Sequence, residues 1–252
     1  MAIIIKKEKD IQVMREGGKL LAGIMNELEK IIQPGISTKE IDQLAEKLVF
    51  ATGGQPAFLG YQKFPASICL SLNNEVVHGI PSNERTLQEG DLVKVDIGLI
   101  YKGMITDMAR TFPVGKISAE AQNLMETTRE ALNLGIEMIK PGNTIGDYAK
   151  TVEDYAASRK FFTCRNLVGH GVGKKVHEDP YIPNFISGAP EEEIVFEKGM
   201  TLALEPMLNV GTYQVKMGQD GWVWETMDGS LSAHFEDTIV VTKDGCEVLT
   251  RI

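Results

Sequence analysis

The sequence predicts a mixed α/β (α+β) domain in which two pairs of helices cover a curved antiparallel sheet. Helical and strand-type hydrophobic patterns follow one another in the order helix, helix, strands, and this order occurs twice. Short motifs of the first half recur in the second half, and no linker-like segment divides the halves. We therefore expect a single domain over residues 1–252, with pseudo-repeats of roughly residues 8–112 and 118–242 and pseudo-twofold internal symmetry.

Each half is expected to begin with two helices. Apolar side chains recur at helical spacing over residues 8–32, and Pro34-Gly35 ends this helix. Ser37 or Thr38 can cap the next helix, which runs to Gly53-Gly54. In the second half the same patterns predict helices over about residues 118–139 and 144–160.

Strand-type runs follow each helix pair. The predicted strands are Ser67–Leu72, Leu92–Ile100, Met104–Thr111, Leu167–Val168, Thr201–Leu204, Trp222–Thr226 and Phe235–Thr242. Tyr101-Lys102-Gly103 is typical of a hairpin turn between the second and third of these strands.

Three pairs of motifs support an internal repeat. The pairs are Pro34-Gly35 with Pro141-Gly142, His78–Pro81 with His177–Pro180, and Gly90–Asp96 with Gly199–Glu205. In the last pair an acidic residue follows a glycine by six positions, at the end of an apolar strand. Glycine and proline are common punctuation, but the shared order favours a duplication.

Composition and charge narrow the class of protein. The net charge of −9 and the pI near 5.1 argue against the basic surface of a nucleic-acid-binding protein. Three widely spaced cysteines do not form a disulfide framework. The N-terminal apolar run is too short for a signal peptide, and no stretch is long enough to span a membrane. We expect a cytoplasmic, monomeric protein with neither a nucleic-acid partner nor a membrane partner.

Two aspartates share one face of the predicted hairpin. With a loop at Tyr101-Lys102, Asp96 and Asp107 are directly opposite each other, whereas a loop at Lys102-Gly103 makes them diagonal. Their Cβ atoms are then about 5–8 Å apart in either register. Two like charges in a partly buried strand repel, unless a cation lies between them or one is protonated. The alternative is a pair of solvated surface aspartates.

Two glutamates also occupy positions where burial is expected. Glu205 ends the apolar run Thr201–Leu204, and Glu236 lies within the strong strand pattern of residues 233–241. A buried carboxylate without a partner costs several kcal/mol. Lys94 and Arg110 are the basic residues in flanking positions that could pair with these acids.

One histidine completes a candidate metal site. His170 lies between glycines in Gly169–Gly173, which lets backbone and ligand approach closely. The candidate ligands are Asp96, Asp107, His170, Glu205 and Glu236. This oxygen-rich set suits Mn²⁺, Fe²⁺ or Co²⁺ and tolerates Zn²⁺. Four carboxylates suit two ions about 3.5–4 Å apart better than one.

These residues and their surroundings resemble the type I methionine aminopeptidases, which have the pita-bread fold. The matching motifs are Asp96 and Asp107 with ten residues between them, Asn73–Pro81, Glu89–Asp91, Gly169–Gly173, Leu204–Pro206 and Glu236–Thr238. The resemblance covers nearly the whole chain. It implies an enzyme that removes the N-terminal methionine from nascent proteins and prefers a small second residue. Its implied cofactors are two divalent metal ions (Co²⁺, Mn²⁺, Fe²⁺ or Zn²⁺), which activate a water molecule for attack on the first peptide bond.

The resemblance also implies a role for each ligand. Asp107 and Glu236 would be shared by both ions, Asp96 would complete one of them, and His170 and Glu205 would complete the other. Glu205 would also take the proton from the attacking water and pass it on.

Further site residues follow from the same resemblance. His177 would hydrogen-bond the carbonyl oxygen as charge develops, and His78 would contact the amide beyond the scissile bond. The side chains implied for the methionine pocket are Phe58, Tyr61, Phe64, Cys69, Val176 and Trp222. Phe58 stands where the family often has cysteine, Val176 where an aromatic residue is frequent, and Phe64 where tyrosine is common. His234 replaces a common glutamine and either holds a ligand in place or lies on the surface.

Two other functions remain open. A prolidase-like or Xaa-Pro aminopeptidase of the same fold would cleave bonds that precede proline. A non-enzymatic binding protein of this fold would have lost ligands, whereas all five ligand positions are filled here. The resemblance implies nascent polypeptide N-termini as partners and leaves transient ribosome association open.

Overall fold

The computed structural model describes residues 2–252 as four α-helices, a nine-stranded sheet and two three-stranded sheets. The helices are α1 (Glu8–Glu29), α2 (Thr38–Ala51), α3 (Ala119–Glu137) and α4 (Ile145–Ser158). The strands of the first half are β1 (Gln55–Pro56), β2 (Cys69–Leu72), β3 (Glu75–Val77), β4 (Leu92–Tyr101) and β5 (Met104–Pro113). Those of the second half are β6 (Phe162–Thr163), β7 (Gly169–Gly171), β8 (Glu178–Ile182), β9 (Thr201–Leu204), β10 (Met207–Asn209), β11 (Val215–Met217), β12 (Trp224–Thr226), β13 (Ser232–His234), β14 (Glu236–Val241) and β15 (Cys246–Val248).

The large sheet joins the two halves of the sequence. Its strand order is β1-β4-β5-β14-β9-β7-β8, with β2 also paired to β4 and β15 to β14, and every pairing is antiparallel. Strands of the first half occupy one side and strands of the second half the other, and the two sides meet where β5 pairs with β14. The predicted fold, an antiparallel sheet with two helix pairs, is confirmed.

Each helix pair has its own apolar core. The buried side chains of α1 and α2 pack with those of β2 and β4, among them Leu21, Ile41 and Val95. The buried side chains of α3 and α4 pack with those of β9 and β14, among them Leu132 and Ile239. A third cluster combines residues of both halves of the sequence and includes residues of the predicted methionine pocket.

The second helix of each pair starts in the same way. Ser37 caps α2 and Thr144 caps α4, and in each case the acidic residue three positions later completes a capping box. Both caps also form an isolated bridge, Ser37 with Thr86 and Thr144 with Val195. Of the two caps considered for α2, the structure therefore selects Ser37.

The strand predicted at Leu167–Val168 is wrong, because the strand is Gly169–Gly171 instead. A Cβ on Gly169 would lie 2.5 Å from the oxygen of Ala203, and one on Gly171 would lie 2.4 Å from the oxygen of Asp179. The glycines that weaken the strand signal are thus the residues that allow this strand to fit between its neighbours.

The strand predicted at Phe235–Thr242 corresponds to β14, which begins one residue later and ends one residue earlier. Phe235 separates β13, which belongs to a three-stranded sheet, from β14 in the large sheet. Phe235 itself packs into the core beneath α3 and α4. The strand predicted at Trp222–Thr226 begins two residues later, at Trp224.

Within residues 2–252, no helix has the length and apolar character that a membrane crossing would require.

Candidate metal centre

The β4–β5 hairpin sets the relation between Asp96 and Asp107. Lys102 and Gly103 form its two-residue turn and both have positive φ, 48° and 78°, as a type I′ turn requires. Gly98 lies opposite Asp107, and Asp96 lies opposite Ala109. Of the two arrangements left open by the sequence, the diagonal one is present.

The second half brings the other three candidate ligands to the same place. His170 lies on β7, Glu205 follows β9, and Glu236 opens β14 opposite Ala109. Ligand atoms of Asp107, His170 and Glu236 all lie within 4.8 Å of one another. The five predicted ligands line one pocket.

His170 is oriented for coordination. Its Nδ1 lies 2.9 Å from the oxygen of Gly171, so Nδ1 carries the proton and donates it to that carbonyl. Nε2 then keeps a free lone pair, 3.5 Å from Oε1 of Glu205. Burial, followed by the charge of His177, lowers the pKa of His170 to about 3, so the ring is neutral at pH 7.

The carboxylates are held in an environment that opposes their negative charges. Burial raises the pKa of Asp107 to about 7, and burial followed by the charge of Asp107 raises the pKa of Asp96 well above its usual range. Burial is also the first cause of the raised pKa values of Glu205 and Glu236, ahead of the neighbouring carboxylates. A cation among these groups would remove the repulsion.

Three of these acids have an oxygen that lacks a hydrogen-bond partner among residues 2–252. These buried atoms are Oδ1 of Asp96, Oδ1 of Asp107 and Oε1 of Glu236. Buried polar atoms are normally satisfied, and hard oxygen donors are what divalent cations prefer. The donor set and the unsatisfied oxygens therefore fit a divalent metal ion.

The flanking basic residues do not pair with the candidate ligands, as the sequence had suggested they could. Lys94 is fully buried, and its Nζ donates to the backbone oxygens of Asn73 and Ser232 at 2.8 and 3.1 Å. Arg110 forms an ion pair of 2.6 Å with Asp237. Neither cation contacts a ligand carboxylate, so neither offsets the repulsion among the acids of the site.

His177 and His78 lie at the edge of this site. The ring of His177 is 4.3 Å from that of His170, and its Nδ1 lies 2.9 Å from the hydroxyl of Tyr61. Burial lowers the pKa of His177, and burial followed by the charge of His177 lowers the pKa of His78 to about 4. His78 adopts a left-handed backbone conformation with φ of 61°, a strained conformation of the kind that clusters at functional sites.

His234 is not a surface residue. It is 1% exposed, and its Nε2 lies 3.6 Å from Oε2 of Glu205. Burial lowers its pKa to about 3. The break at Phe235 places His234 on a different sheet from Glu236, so its proximity to the ligands arises from tertiary packing and not from a shared strand face.

The pocket that the ligands line has a volume of about 130 Å³ and also has an apolar, aromatic wall. Its lining includes every residue predicted for the methionine pocket, namely Phe58, Tyr61, Phe64, Cys69, Val176 and Trp222. Phe64 and Trp222 make an edge-to-face contact with ring centroids 5.1 Å apart. This volume includes the space beside the ligands and is close to the ~150 Å³ of a cavity that accepts one benzene ring, so the apolar part has room for no more than one side chain. Gln62 also lines the cavity and was not predicted, because no pattern in the Gly60–Phe64 loop marks it.

Comparison with known proteins gives one family. The model of metallopeptidase family M24 matches residues 12–243. A methionine aminopeptidase of Clostridium acetobutylicum is 45% identical over 98% of this chain and 98% of its own. The crystal structure of a methionine aminopeptidase from Thermotoga maritima has a TM-score of 0.96 and 41% identity, and covers all of both chains.

A prolidase from Pyrococcus horikoshii is less similar, with a TM-score of 0.78 and 25% identity over 98% of this chain and 63% of its own. The resemblance inferred from the motifs is confirmed by the far higher identity to the methionine aminopeptidases. This chain belongs to the methionine aminopeptidases of metallopeptidase family M24.

Proposed function

We propose that this protein removes the N-terminal methionine from nascent proteins and peptides with a small second residue, using two divalent metal ions. One observation carries the proposal: the candidate ligands and an apolar, aromatic wall line the same pocket. The proposed ligands are Asp96, Asp107, His170, Glu205 and Glu236. Bound ions would supply Lewis-acid polarisation of the first carbonyl and a water of lowered pKa.

Glu205 is the proton carrier in this proposal. Its backbone oxygen accepts a hydrogen bond of 3.2 Å from Asn184, whose own Oδ1 accepts one of 2.7 Å from the buried hydroxyl of Tyr148. This chain of hydrogen bonds fixes the end of β9. Burial and the neighbouring carboxylates raise the pKa of Glu205. A bound cation would favour its ionised form, which could take a proton from water and return it to the departing amine nitrogen.

His177 is the proposed donor to the substrate carbonyl. The Tyr61 hydroxyl can donate to Nδ1 of His177, which leaves the proton of the neutral ring on Nε2. That N–H is then available to stabilise negative charge on the carbonyl oxygen. His78, which lines the same pocket, would contact the amide beyond the scissile bond.

The cavity is the proposed site for the methionine side chain. Apart from the ligands, the two histidines and Gln62, its lining is apolar or aromatic, and sulfur makes favourable contacts with aromatic rings. Phe58 and Val176 differ from the family pattern, yet both line the cavity. The preference for a small second residue is carried over from the resemblance.

A peptide assay tests the proposal. Purified protein supplied with Mn²⁺ or Co²⁺ should release methionine from Met-Ala-Ser and leave Met-Leu-Ser intact. Cleavage of Ala-Pro peptides with no action on Met-Ala-Ser would replace the proposal with a prolidase-like function. Failure to bind either ion at micromolar concentration, together with inactivity on both peptides, would favour a binding protein.

A further inference from the structure

A buried ion pair lies directly behind the loop that carries His177 and Val176. Lys6 and Glu178 are 172 positions apart in the sequence, and their side chains are each only 1% exposed. Nζ of Lys6 donates to Oε2 of Glu178. Glu178 is the residue next to His177, so this contact ties the segment before α1 to the edge of the metal centre.

Glu178 also holds the loop through its other oxygen. Oε1 accepts hydrogen bonds from the backbone N–H groups of Lys174 and Lys175. One carboxylate therefore joins the beginning and the end of the loop that spans residues 173–178. Its negative charge is balanced by Lys6, whose backbone N–H is in turn fixed by the oxygen of Gly199 at 2.9 Å.

The loop fits closely around the lysine side chain. A Cβ on Gly173 would lie 2.6 Å from Cε of Lys6, so the loop backbone rests on the lysine stem. On its other side, the oxygen of Gly173 accepts a hydrogen bond of 2.7 Å from the backbone N–H of Ile105 in β5. The loop thus lies between Lys6 and the strand that carries Asp107.

A contribution to stability does not by itself explain why a buried ion pair occupies this place. Desolvating two charges offsets most of their attraction, and apolar replacements of similar volume are often as stable or more so. An apolar contact in place of the ion pair would have no preferred direction. It would therefore not fix the orientation of residue 178 in the loop. The neighbouring ring of His177 has to point at one substrate atom.

We propose that Lys6 and Glu178 form a positioning pair, which sets the orientation of His177 and the place of Val176 in the cavity wall. This inference rests on the proposed function, since it assigns the pair to the step that His177 assists. Lys6 and Glu178 do not touch the reacting atoms. Their loss should therefore reduce the stabilisation of the transition state more than the binding of the peptide.

The variant Lys6→Met/Glu178→Gln tests the inference, because it removes both charges and leaves the glutamine oxygen to accept the two backbone hydrogen bonds. Misplacement of a catalytic group by about 1 Å can lower the rate by about 100-fold, so we expect kcat for Met-Ala-Ser to fall about 10- to 100-fold. KM should stay within about threefold. The melting temperature should be close to that of the wild type.

Asp10→Asn is the matched control. It breaks the exposed pair between Asp10 and Lys174, which holds the same loop from outside at 3.1 Å. Its kcat should match the wild type, since exposed pairs contribute little. The ring signals of His177 in NMR spectra should move in the double variant and stay in place in the control.

Wild-type kcat together with an unmoved His177 signal in the folded double variant would overturn the inference. If that variant does not fold, Glu178→Gln alone is judged by the same two criteria. If the wild-type protein does not release methionine, the proposed function fails, and the NMR signal alone then decides whether the pair positions His177.

Discussion

In the absence of divalent ions, the stability of this protein should fall as the pH rises from about 5 to 8. The cause is the cluster of buried acids. Burial raises the pKa of Asp107 from the ordinary 3.8 to about 7 in the folded chain. Between these values the folded protein keeps a proton that the unfolded chain has released. The stabilising contribution is therefore complete below about pH 4 and is lost as the pH rises through about 7.

The size of the stability change follows from the size of the pKa shift. Between pH 5 and 7 about two pKa units of this shift apply, and at about 1.4 kcal/mol each they give roughly 3 kcal/mol for Asp107. The pKa values of Asp96, Glu205 and Glu236 are raised in the same direction. For a chain of this length 1 kcal/mol corresponds to about 2–4 °C, so the melting temperature should fall by roughly 10 °C.

Thermal unfolding of chelator-treated protein at several pH values measures this effect. Mn²⁺ at about 100 times its Kd should add about 2.7 kcal/mol of stability near pH 7.5, and much less at pH 5, where protons compete for the ligands. Asp107→Asn is the control, since it should flatten the pH dependence and weaken the response to Mn²⁺. A metal-free melting temperature that rises between pH 5 and 8, or that ignores Mn²⁺ at pH 7.5, would refute the reasoning.

Three further substitutions test single contacts. Glu205→Ala should lower kcat by about 10²–10⁴-fold, because it removes the proton carrier. The melting temperature should change little, because the substitution also removes one of the carboxylates that repel one another. Near-normal kcat would exclude Glu205 from the mechanism. Tyr61→Phe should lower kcat about fivefold, the value of one hydrogen bond of about 1 kcal/mol, and an unchanged kcat in steady-state kinetics would separate Tyr61 from the orientation of His177. Lys94→Met leaves the backbone oxygen of Ser232 without its donor and should reduce the free energy of unfolding, measured in urea, by about 1–3 kcal/mol. The control Lys47→Met, at an exposed position, should change this free energy little. Equal stabilities of the two variants would contradict the role of the buried ammonium.

Local patterns in the sequence predict much of the fold and of the metal centre. Strand alternation across a short turn is enough to place Asp96 and Asp107 on one face of the hairpin. It does not decide between opposite and diagonal pairing, because lysine rarely adopts the positive φ that Lys102 has in the turn. The capping residues Ser37 and Thr144 are recognisable because their partners lie three positions away.

Contacts between residues far apart in the sequence cannot be predicted from local patterns. Nothing near Lys6 marks Glu178 as its partner, because the two are 172 positions apart and no periodicity connects them. The burial of His234 depends on the chain leaving one sheet for another at Phe235, and the continuous strand pattern of residues 233–241 conceals that break. Gln62 reaches the cavity through a loop with positive φ, for which glutamine gives no signal.

The meeting of the two halves at β5 and β14 has a practical consequence. Asp96 and Asp107 come from the first half, whereas the other three candidate ligands come from the second, and the strands of the two halves join through the pairing of Glu236 with Ala109 and Asp237 with Met108. A chain cut in the connection at residues 115–118 would yield two fragments, each with an incomplete set of ligands. Release of methionine would then require their reassociation, which makes this fold a candidate for a split enzyme that reports when two attached proteins meet.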